Sequence, residues 1–151
     1  LARYRQLRPG GQTSFTLAVY CEADHAAARR RAAPGLVWAY RQILAISRPM
    51  LSRQLAGYEA YRRLGWLAPL LNKILSIATL EALGLAVVGD PAHVRKRLAA
   101  LQDSGLDRVS LVIGGGDLEA AETIRCVELL AEQVLPALAS ETPAIIAAMP
   151  A

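Results

Sequence analysis

Leu85-Ala-Val-Val-Gly-Asp-Pro-Ala-His-Val-Arg-Lys-Arg-Leu98, continuing through Ala99-Ala-Leu-Gln-Asp-Ser-Gly105 to Leu106-Asp-Arg-Val-Ser-Leu-Val-Ile113, decides the fold. Leu85 to Val88 is a short continuous apolar run of the buried-strand type. Gly89-Asp90-Pro91 then turns the chain into a helix, with Asp90 as N-cap and Pro91 at the first helical position, where a missing N–H costs nothing. Val94, Leu98 and Leu101 form its apolar stripe, Gly105 ends it in the left-handed conformation, and Leu106 can fold back on the last turn. Val109 to Ile113 is a second strand, apolar on both faces. Strand, helix and strand in this order imply a parallel pair joined by a right-handed crossover.

Working back from this unit, Ser14 to Cys21 alternates Phe15, Leu17 and Val19 with Thr16, Ala18 and Tyr20, which reads as another covered strand. Asp24 offers an N-cap to an Ala- and Arg-rich helix, Ala26 to Ala33. Pro34-Gly35 and Arg48-Pro49 read as breaks on either side of a second helix, Leu36 to Ser47, with Leu36, Tyr40, Ile43 and Ser47 on one stripe. Helices are also expected over Met50 to Leu64 and Trp66 to Leu83, the latter with Ile74, Ile77 and Ala78 on its apolar face. Working forward, Gly114-Gly115-Gly116 leads to Asp117 as the expected cap of a final helix. Its stripe is Ile124, Val127, Ala131 and Val134, and Pro136 weakens its end. The Ala/Pro segment 139–151 reads as a loosely held tail.

The 151 residues suit one domain, and 54% hydrophobic with 20% charged residues is enough to bury a core, which excludes disorder as the main state. No apolar stretch approaches the length of a membrane span, and the chain reads as soluble and cytoplasmic. Cys21 and Cys126, far apart, exclude a disulfide framework or Cys-rich metal site. The net charge of +4 is mostly arginine. Its one dense run, Arg29-Arg30-Arg31, has no aromatic or Gly-rich companion, so it reads as a solvated helix face and argues against a nucleic-acid partner.

Three strands that must be covered on both faces make a poor free-standing sheet, because both edges would stand open. Together with an uncapped opening helix at Leu1, this leads to the expectation of a fragment whose partner strands lie elsewhere.

Val88 to Leu98, Asp103 to Val112, and Leu129-Leu-Ala-Glu-Gln-Val-Leu-Pro-Ala-Leu138 resemble, in order and spacing, the carboxy-terminal end of the luciferase-like monooxygenase superfamily. Ser14 to Arg31 resembles the strand and helix that precede that family's helical insertion. The resemblance covers Ser14 to Leu138 and implies an α/β fold: three parallel strands from the end of a (β/α)8 TIM barrel. Residues 1–138 would be a partial barrel domain, with the insertion over about 36–83. It implies an oxidoreductase or monooxygenase using FMN or the deazaflavin F-420, completed by a missing N-terminal barrel half, with a small-molecule substrate and a possible homodimer. The isolated chain would be inactive. The family's Gly-Gly-x-Gly-Pro phosphate loop is not in this sequence, so no flavin-phosphate residues carry over.

In such barrels the site lies at the carboxyl ends of the strands, here Tyr20-Cys21-Glu22, Val88-Gly89-Asp90 and Ile113 to Gly116. Gly114, Gly115 and Gly116, leading into a helix, are candidates for cradling a cofactor phosphate. They match no dinucleotide or P-loop pattern, Asp117 would repel an anion, and a flexible turn is the plainer reading. Tyr58, Tyr61, Arg62 and Arg63 fall in the insertion and are candidates for gripping an anionic substrate or closing over a flavin ring; a helical core stripe with a solvated edge is the alternative. His25 and His93 read as surface histidines with no metal-ligand spacing, Cys21 as a buried thiol, and Glu22 and Asp24 as capping groups. The competing class is a non-catalytic α/β interaction module that pairs its strand edges with another chain.

Overall fold

The computed structural model describes residues 1–54, 74–114 and 117–140. Its elements in order are α1 (Ala2–Leu7), β1 (Ser14–Cys21), α2 (His25–Gln54), α3 (Ile77–Ala82), β2 (Ala86–Gly89), α4 (Pro91–Asp103) and β3 (Arg108–Ile113). They are followed by α5 (Ala120–Leu129), a π-helical turn (Leu130–Val134) and α6 (Leu135–Ser140). The strands form one three-stranded parallel sheet in the order β2-β1-β3. The chain is therefore α/β with a parallel sheet, as expected. Its strand order is not sequential: β1 lies between β2 and β3, whereas consecutive staves of a barrel are neighbours.

β1 is central because its inner half is apolar on both faces; Leu17 through Cys21 are all buried. Its first half and β3 are less covered. β3 alternates, with Arg108, Ser110 and Val112 exposed and Val109, Leu111 and Ile113 half-buried. The expectation that β3 is covered on both faces is corrected: one face packs on the core and the other meets water.

α2 also corrects the sequence reading, since it runs unbroken through Pro34-Gly35 and Arg48-Pro49. A proline removes the N–H that would bond the carbonyl four residues earlier. Those carbonyls belong to Arg30 and Ala45, both exposed positions where water can take the acceptor. The opposite face of α2 carries the small residues Ala28, Ala32 and Gly35 beside Leu36, all buried, and lies against β1 and β2. Tyr40 extends that face and donates from its hydroxyl to the Leu85 carbonyl at 2.6 Å, while Ile43, expected on the stripe, is exposed.

The helix read over Trp66 to Leu83 is interrupted at Leu75-Ser76. Ser76 Oγ accepts the Thr79 N–H at 3.2 Å and so caps α3, while Thr79 Oγ1 donates to the Ile74 carbonyl at 2.8 Å. These local bonds compete with a continuous helix. Ile77 and Leu80 are buried, whereas Ile74 and Ala78 face water. The expected α4 forms as read: Asp90 Oδ1 accepts the His93 N–H at 2.8 Å, Pro91 follows, Val94 and Leu98 are buried, and Gly105 has φ +79°.

At the last helix the register differs from expectation. Ile124, Val127 and Ala131 are exposed, and Cys126, Leu129, Leu130 and Val134 are buried. The buried stripe is set within α5 itself by Cys126 and Leu129 and continues through Leu130 and Val134 of the π-helical turn that follows. The cap is Glu119 in a reciprocal box with Glu122, not Asp117.

Candidate functional site at the strand ends

β1 and β2 end level, Cys21 opposite Gly89, so the helices that follow them start side by side. Asp24 Oδ1 accepts the Ala27 N–H at 2.6 Å at the start of α2, as Asp90 does at the start of α4. His25 and His93 occupy those first turns and meet edge to face over Gly89, ring centroids 4.8 Å apart and planes at 70°. A Cβ on residue 89 would stand 2.5 Å from His25 Nδ1 and 3.0 Å from His93 Cδ2, so only glycine leaves room for both rings.

Each imidazole faces a carboxylate. His25 Nδ1 lies 3.8 Å from Asp90 Oδ2, and His93 Nε2 lies 3.4 Å from Glu81 Oε1. Glu81, at the end of α3, is the hub: it pairs with Arg29 of α2 and accepts the Val88 N–H at 3.1 Å. Its backbone carbonyl takes Arg97 at 3.0 Å. Burial alone would raise the Glu81 carboxyl, but the hydrogen bonds from Arg29, Val88 and His93, with the Arg29 charge, outweigh it and hold the group below its ordinary range. An imidazole ring nitrogen facing a carboxylate is the pairing that general acid–base sites use, and this strand end holds two of them.

A second cluster stands at the β1–β3 end. Arg31 of α2 grips Glu122 with Nε and with Nη2 at 2.6 Å, and reaches the Asp117 carbonyl at 3.0 Å. Glu122 lies below its ordinary range because of Arg31 and the Glu119 N–H. Tyr20 is pushed up to about 12 by burial and by the nearby Glu22 and Glu122 charges, with Arg31 opposing. One carboxylate oxygen of Glu22, Oε2, is buried with no hydrogen-bond partner. Cys21 is buried as expected, and burial pushes its thiol up to about 12, far from an activated thiolate.

His25 and His93 are half-exposed, and the fold brings them together with two carboxylates, which no local spacing in the sequence could show. Glu22 does not cap; Asp24 does. Gly114 adopts φ +90° in the turn after β3, beside Thr123. The segment after it carries Asp117, Glu119 and Glu122, of which Asp117 and Glu122 are paired with Arg31, and no unpaired cation among these groups favours a phosphate there. Gly115 and Gly116, and the substrate candidates Tyr58, Tyr61, Arg62 and Arg63, lie outside the described residues. Among the described residues no group of three or more His, Cys, Asp or Glu is placed to hold a metal ion, and no helix is long and apolar enough to cross a membrane. Compared with protein-family models, curated proteins and solved structures, the chain matches none of them.

Proposed function

We propose that this chain is the carboxy-terminal part of a luciferase-like flavin- or deazaflavin-dependent oxidoreductase, contributing barrel wall and proton-handling groups at the substrate end. One observation supports the reading above others. Two strand–Asp cap–helix units lie parallel with level carboxyl ends, and that end gathers His25, His93, Glu81 and Asp90. In barrels of this type the chemistry sits at that end. The reading needs β2 to stand beside β3 in the complete enzyme, with the cofactor phosphate held by residues other than those described.

Co-expression with the amino-terminal part of a luciferase-like barrel tests it. A co-purifying pair that retains FMN or F-420 supports the reading. A chain that stays folded, ignores that partner and binds neither cofactor overturns it, as does robust cofactor reduction by the chain alone.

A second reading, a non-catalytic module that pairs a strand edge with another chain, is favoured by the strand order. With β1 in the centre, β3 stands at an edge of the sheet among the described residues.

A further inference from the structure

The two edges of the sheet are treated differently. In a strand, the N–H and C=O of one residue point to the same side, and successive residues alternate. Ala18 N–H donates to the Leu85 carbonyl at 3.2 Å and Glu22 N–H to the Gly89 carbonyl at 3.1 Å. The main-chain groups of Ala86 and Val88 therefore face away from β1. That outward edge is sealed at its centre, where Val88 N–H meets Glu81 of α3.

The same parity applied to β3 gives the opposite result. Arg108 N–H donates to the Thr13 carbonyl at 3.1 Å, so Arg108, Ser110 and Val112 bond toward β1. Val109, Leu111 and Ile113 turn their N–H and C=O groups outward, and among the described residues nothing pairs with them. The edge carries no proline or bulge, and its one charge, Arg108, is at its first position. Unprotected edges of this kind template the addition of a strand.

We propose that β3 pairs antiparallel with β3 of a second copy of this chain, about a twofold axis through Leu111, making a continuous six-stranded sheet. The strand is self-complementary in that register. On the half-buried face Leu111 meets Leu111 of the second copy and Val109 meets Ile113, apolar against apolar. On the exposed face Ser110 meets Val112, which is 50% exposed in the single chain. The two Arg108 side chains fall at opposite ends of the pair and do not repel. α5, which lies against β3, leaves Ile124 and Val127 exposed as further apolar surface. An isologous contact of this form closes on itself and does not propagate into fibres. This inference rests on the open edge and not on the flavoenzyme reading, in which the missing barrel half would take the same edge.

The test uses the intact chain in light scattering coupled to size exclusion. The expected result is a dimer, with a spin label at Arg108→Cys giving a Cα separation of about 20 Å across the twofold, six residue steps of strand. The native thiols are buried and stay unlabelled. The double variant Ser110→Lys/Val112→Lys puts lysine opposite lysine twice on the exposed face. It should become monomeric, with its dimer constant weakened at least tenfold and its circular dichroism unchanged. A monomeric wild-type chain, a dimer that survives the double substitution, or a label distance far from that value overturns the proposal.

Discussion

The main-chain N–H of Cys21 donates to Sγ of Cys126 at 3.1 Å. β3 ends opposite Val19, two residues before β1 does, so the last N–H of β1 on that side has no carbonyl to meet. A thiol from α5 fills the vacancy in the ladder, and both sulfurs are fully enclosed. The relationship joins the final helix to the central strand through one weak but buried bond.

Cys126→Ala should therefore cost about 1–3 kcal/mol of stability, because it strands a buried donor as well as opening a small void. Cys126→Ser keeps an acceptor and should recover part of that loss. Urea melts of the three proteins check the order wild type, Ser, Ala.

Burial raises both thiols, Cys21 to about 12, so the native chain should resist alkylation at pH 8. Mass spectrometry after iodoacetamide should find no adduct on folded protein and two after denaturation. Rapid labelling of the native chain at either cysteine contradicts the packing described.

Glu81 sets an acid limit. Its folded value lies below its ordinary 4.5, so its contribution is fully present above that value and is lost as pH falls through the lower folded one. Glu81→Gln should flatten the acid limb of stability below about pH 4.5 and lower stability at neutral pH, where it weakens the Arg29 pair. Thermal melts from pH 3 to 7 read both effects.

Gly89→Ala drives a methyl into His25 Nδ1 and His93 Cδ2. The rings must separate, with an expected loss of about 1–3 kcal/mol by overpacking. Both imidazole resonances should shift together in NMR spectra; a shift in neither removes the geometry on which the candidate site stands.

Pro34 interrupts the bonding of α2 at an exposed position. Pro34→Ala restores the N–H to the Arg30 carbonyl and should raise stability by about 1–3 kcal/mol. A drop in melting temperature on this change contradicts a continuous α2.

Much of the architecture was legible because it rests on local chemistry. Asp90-Pro91, Asp24 and Gly105 mark caps and stops whose bonds span three or four residues, and the structure places each in that role. Structure departs from local signal where a distant partner or solvent outweighs it. Pro34 is a break by local rules, but the Arg30 carbonyl it leaves without an N–H sits at an exposed position, while the small residues Ala28, Ala32 and Gly35 hold α2 against the sheet. Ile124 and Val127 fall on an apolar stripe by spacing, but α5 turns the Cys126 and Leu129 face to the sheet, where Cys126 meets the end of β1, and leaves them exposed. The candidate site was least legible: His25 and His93 are 68 positions apart, and only the level ends of β1 and β2 bring them together over Gly89.

By itself, the sequence determined that there would be three parallel strands, that Asp24 and Asp90 would cap the helices after β1 and β2, and that the core is apolar, because periodicity and capping are properties of neighbouring residues. Tertiary structure alone decided that β1 lies in the middle, that Glu81 seals one edge while β3 is left open, and that two histidines share one glycine. Strand order and side-chain meetings depend on which surfaces fit across the whole chain, and no short window of residues encodes that.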